Sequence, residues 1–84
     1  MTLIEKRKEG QDYFSNKLYE LASAGNVRID SLDWNDSPSQ SWSEITVTQG
    51  DKKSTYCIDK RELEIVNFRT ELDRKVEHII VEFR

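Results

Sequence analysis

The sequence predicts a small α+β domain: a helix, a three-stranded antiparallel sheet and a second helix, with both helices on one face of the sheet. Three observations carry that prediction. Apolar residues recur at helical spacing near each end of the chain, and two β-branched runs flank Gln49-Gly50-Asp51-Lys52 in the middle. Leu, Ile, Val and Phe make up 21 of the 84 residues, more than the roughly 20% below which chains tend to be disordered. Residues 1–84 read as one domain, because domains usually run to about 100–200 residues. Charged residues take 35% of the chain, so the core is expected to be thin.

The first helix is expected over residues 2–24. Leu3, Phe14, Leu18 and Leu21 project to one side at 100° per residue. Gly10 interrupts the pattern and weakens a helix by about 1 kcal/mol relative to Ala, so residues 1–10 are expected to fray. Gly25-Asn26 makes a stop, since both residues tolerate the left-handed conformation that closes helices. A strand follows at 27–34. Its apolar residues alternate at 27 and 29 and again at 32 and 34, a slip that either a bulge near Asp30-Ser31 or a strand that ends early would explain. Residues 35–41 contain the only proline and read as a loop.

The hairpin is the best-specified element. Ser43–Thr48 and Ser54–Ile58 are rich in β-branched residues, and a two-residue turn at Gly50-Asp51 suits type II′. That turn pairs Ile45 with Tyr56 and Val47 with Ser54. Ile45, Val47, Tyr56 and Ile58 then share the buried face, while Glu44, Thr46, Thr48, Lys53, Thr55 and Cys57 face solvent. Asp59 is the expected N-cap of the last helix, with Glu62 as its capping-box partner. The stripe Ile65, Phe68, Leu72, Val76, Ile79 and Phe83 predicts one continuous helix, supported by an i,i+4 pair from Glu71 to Lys75. Ile79-Ile80-Val81 could instead begin a terminal strand over 78–83, but the unbroken stripe favours the helix.

Composition narrows the function. Lys and Arg number 13 against 16 Asp and Glu, a net charge of −3, where nucleic-acid-binding domains usually gather a basic excess. No apolar run approaches the roughly 18 residues of a membrane span, and the N-terminus has no signal-peptide core. A single cysteine, Cys57, fits a reducing compartment. The expectation is a cytoplasmic protein that does not engage membranes. Catalysis is not expected either. His78 and Cys57 are the only residues of their kinds, and they are placed on outward surfaces that should not meet. Asp30, Asp33 and Asp36 recur every third residue, which scatters carboxylates to both sides of a strand rather than around a metal. With no phosphate-cradling loop and too few ligands for zinc, no cofactor is expected.

The order of elements is similar to that of double-stranded-RNA-binding domains. Such domains grip phosphates with lysines at the start of the second helix and in the loop between the first two strands. Here those places hold only Lys60-Arg61, followed by two glutamates, and a loop at Asn35–Ser41 with no basic residue. Nucleic-acid binding is therefore the alternative, and protein binding the first expectation. Trp34 and Trp42 flank the loop, and tryptophan is enriched at binding hot spots. On the last helix, Leu63 and Val81 lie nearly opposite the core stripe, and Val66 sits on its flank. These five residues mark the expected contact surface of a non-catalytic protein–protein interaction module: an adaptor, a subunit or a small inhibitor. A second copy of the chain is one candidate partner. An inhibitor of the phage or mobile-element kind would set a compact acidic domain against a nucleic-acid-processing complex.

Overall fold

In the computed structural model, which describes residues 2–84, the first helix, α1, spans Leu3–Ala24 without a break. Thr2 caps it by accepting a hydrogen bond from the Glu5 amide, which satisfies a backbone donor that would otherwise be orphaned. Residues 3–10, where fraying is expected, are thus part of the helix, and residue 1 lies outside the described residues. Gly10 lets α1 approach its neighbour closely. A Cβ at this position would sit 2.1 Å from the carbonyl oxygen of Leu63. At the other end Asn26 takes the left-handed conformation, at φ 55°. The amides of Asn26 and Val27 then bond back to the carbonyls of Ser23 and Ala22, the pairing of a Schellman closure.

Strand β1 is Ser31–Asp36, β2 is Trp42–Gln49 and β3 is Lys52–Asp59. They form one antiparallel sheet in the order β1-β2-β3. Two expectations need adjusting here. The first strand starts at Ser31 rather than at residue 27, with the Asp30 amide also bonded to the carbonyl of Thr48, the partner of Ser31, and the loop shrinks to 37–41 because β1 runs through Asp36. The hairpin agrees with its prediction: Ile45 pairs with Tyr56 and Val47 with Ser54 across the two-residue turn. Of the turn residues only Gly50 has positive φ, at 57°, as type II′ requires. Ile45, Val47 and Ile58 are buried, while Thr46 and Thr55 share a hydroxyl hydrogen bond on the open face.

The C-terminal segment departs furthest from expectation. Asp59 caps only a short helix, α2, over Lys60–Glu64, accepting from the Arg61 amide. Ile65 is extended, at φ −108° and ψ 118°. A 3₁₀ turn at Val66–Phe68 follows, and then α3 at Arg69–Glu82. Residues 78–82 are helical, not a strand. Glu62 pairs with Lys75 on α3 rather than completing a capping box, which also removes Lys75 from the expected partnership with Glu71. The helices cover one face of the sheet. Phe14, Leu18 and Ala22 of α1, Leu63 of α2, and Leu72, Val76, Ile79 and Ile80 of α3 join Ile45, Val47, Ile58 and Phe83 in a single core.

Candidate functional site

The elbow between α2 and α3 decides where the apolar surface lies. Had the helix continued, the stripe would have carried Ile65 and Phe68 into the core and turned Leu63 outward. The break at Ile65 reverses both outcomes. Leu63 is fully buried at 0% exposure, so it is corrected from a contact residue to a core residue, packed where Gly10 admits it. Ile65, Val66 and Phe68 are instead exposed, Val66 at 69%. The elbow packs against the first turns of α1. Lys6 and Glu9 line a hollow of about 280 Å³ together with Glu64, Ile65, Val66 and Arg69. Arg7 pairs with Glu64 at 3.4 Å beside it. Leu3, one turn before Lys6 on the same helix face, is exposed, as is its neighbour Ile4.

The other expected contact residues are scattered. Trp34 is on the inner face of the sheet. Its ring packs edge-on against Phe14, with centroids 5.7 Å apart, and its indole N–H donates to Ser15 at 2.8 Å. That is the geometry of a satisfied, half-buried tryptophan. Trp42, three positions from the inward-facing Ile45, stands on the outer face and is 37% exposed. The two rings therefore do not form one surface. Val81 is exposed at 61%, beside a hollow between the C-terminal ends of α1 and α3. Of the five residues, only Val66 belongs to a cluster of exposed apolar side chains. Ile65 and Phe68 complete that cluster, and helical periodicity had assigned both to the core.

A second concavity, of about 290 Å³, separates β3 from α3. Phe14, Ile58 and Ile79 line it along with Tyr56, Cys57, Arg74, Lys75 and His78. Cys57 and His78 thus share one cavity, contrary to the expectation that their surfaces stay apart, because α3 runs along the free edge of β3. His78 Nε2 nevertheless lies 2.8 Å from a Glu82 carboxylate oxygen, and no hydrogen bond joins it to Cys57. Tyr56 donates its hydroxyl to Glu82 at 2.5 Å. Burial, and then that bond, push the phenol up to about 12, while the same bond holds the Glu82 carboxyl below its usual range.

The loop at 37–41 is held by Lys60, whose buried ammonium donates to the carbonyls of Ser37 and Gln40, each at 2.7 Å. One of the two basic residues at the helix start is therefore committed to structure. Among the described residues, no group of three or more His, Cys, Asp or Glu is placed to hold a metal ion. No helix among them is long and apolar enough to cross a membrane. Comparisons with family models, with curated proteins and with solved structures found no significant match to the chain.

Proposed function

We propose that the protein is a non-catalytic protein-binding module, an adaptor, subunit or small inhibitor, whose docking surface is the elbow. The observation that supports this reading is the exposure of Ile65, Val66 and Phe68 at one bend, whose hollow is shared with Lys6 and Glu9 of α1. Single exposed apolar residues are ordinary, but a contiguous group of them is the usual mark of a contact site. The charged rim of Lys6, Glu9, Glu64 and Arg69 suits a polar border around an apolar centre. The double-stranded-RNA-binding alternative gains nothing from the packing. Lys60 is buried under the loop, and the exposed elbow residues Ile65, Val66, Asn67 and Phe68 include no basic one.

The test is capture of tagged protein's partners from a lysate of its own host, with nuclease, using the native chain and an Ile65→Asp, Val66→Asp variant. Stoichiometric capture of one protein by the native chain and its loss with the variant is the expected result. Recovery that disappears with nuclease alone would favour the nucleic-acid reading. Self-association of the native chain in sedimentation, abolished by the same variant, would make a second copy the partner.

A further inference from the structure

We propose that the groove between β3 and α3 binds an extended peptide segment with acidic side chains, which adds to the sheet as a fourth strand alongside β3. This surface is separate from the elbow, and the inference does not depend on it.

The argument starts from the hydrogen-bond parity of the hairpin. Gln49 and Lys52 close a two-residue turn, so they form a hydrogen-bonded pair, and the pairs alternate from there. The Thr48–Lys53, Thr46–Thr55 and Glu44–Cys57 pairs are then the non-bonded ones. An independent contact agrees: the Thr48 carbonyl accepts from the Asp30 amide on the β1 side, at 2.8 Å, and so points away from β3. The amides and carbonyls of Lys53, Thr55 and Cys57 consequently project from the free edge of β3. Among the described residues, no strand of the sheet lies beyond that edge.

The cavity meets this edge. Cys57 belongs to the outer face of the sheet and Tyr56 and Ile58 to the inner face, yet all three line the same hollow. A hollow that reaches around the strand's edge would meet all three. Near the hairpin it is closed off, because Lys52 and Tyr56 both bond to Glu82 at the end of α3. An edge strand facing a helix across an apolar trough is the arrangement that peptide-binding domains use for strand addition. Main-chain bonds give affinity there, and alternate side chains enter the trough. About 290 Å³ is at the bottom of the range for small-molecule sites, which suits side chains of a strand better than a cofactor.

Charge selects the peptide. The helical wall presents Arg74, Lys75 and His78. Lys75 is engaged by Glu62 and His78 by Glu82, whereas Arg74 is exposed and makes no ion pair among the described residues. A carboxylate on the incoming strand would satisfy Arg74 and fix the peptide's register.

The experiment is selection of random heptapeptides displayed on phage against the full chain, followed by titration of the synthesised consensus into isotope-labelled protein. The expected consensus alternates apolar and acidic residues. Its binding should shift the amides of Lys53, Thr55 and Cys57 and slow their hydrogen exchange. Arg74→Glu should weaken affinity tenfold or more. Cys57→Pro, which removes an outward amide at an edge position where proline is tolerated, should abolish binding. Failure to enrich any peptide over the Arg74→Glu protein, a basic consensus, or shifts confined to the elbow or the β1 edge would each overturn the proposal. So would a dimer formed through β3 that the consensus peptide does not displace.

Discussion

Gly10 shows how a single residue can reverse the sign of a propensity argument. On an isolated helix, Gly10→Ala would gain about 1 kcal/mol. Here the added methyl would overlap the Leu63 backbone at 2.1 Å, and neither helix can yield without moving the core. We expect Gly10→Ala to destabilise the protein by about 1–3 kcal/mol, the usual range for overpacking, read as a lower urea midpoint with an unchanged slope. Ser43 should behave in the opposite way. It is fully buried and its hydroxyl has no hydrogen-bond partner. A polar group in that position costs about 1–3 kcal/mol, so Ser43→Ala should raise the midpoint. A drop would mean that the hydroxyl is satisfied after all.

At the scale of elements, the hairpin turn is tied to the start of β1 by one carboxylate. Asp30 accepts two bonds from Arg28 and one from the Gly50 amide. The Arg28 bond first, and then the Gly50 bond, lower its carboxyl from 3.8 to about 2. Because the folded value lies below the unfolded one, this contribution is present above about pH 4 and is lost as pH falls toward 2. The side chain is solvent-exposed, so the effect should be small and salt-sensitive. Asp30→Asn should flatten the acid limb of the stability profile over that window and leave neutral pH almost unchanged. Tyr56 has the opposite sign. Its phenol is raised from 10.0 to about 12, so its contribution is complete below pH 10 and disappears as pH rises through 12. Tyr56→Phe should remove that part of the alkaline loss. Tyr13, raised by its hydrogen bond to Asp73, would keep the remainder.

At the scale of the whole molecule, the two candidate surfaces lie on different parts of the fold, the elbow beside the start of α1 and the groove beside β3. They should therefore be separable by mutation. Ile65→Asp, Val66→Asp and Arg74→Glu alter exposed side chains, and such changes usually shift stability by no more than about 0.5 kcal/mol. We expect both the elbow double variant and Arg74→Glu to melt within a few degrees of the native chain. Partner capture should fail only for the elbow pair, and peptide binding only for Arg74→Glu. A melting temperature lowered by ten degrees in the elbow variant would show that Ile65 and Val66 belong to the core, and the docking assignment would fall with it.

How much of this was legible in the sequence follows the range of the interactions involved. The α+β class, the hairpin register and the inward set Ile45, Val47, Tyr56 and Ile58 were determined locally, by side-chain alternation and by a turn with glycine at its first position. The buried stripe from Leu72 to Phe83 was equally readable, because it needs only helical spacing. The break at Ile65 was not. The segment 60–83 has a stripe that a single helix would satisfy, and no proline or glycine interrupts it. Only the packing of Leu63 onto Gly10, some fifty residues earlier, shows where α2 must sit. Leu63 then became core, Ile65 and Phe68 became surface, and α3 was laid along β3 to make the groove. Short-range periodicity therefore determined which elements form. Long-range contact, with its steric demand at Gly10, decided which side chains the protein keeps and which it presents.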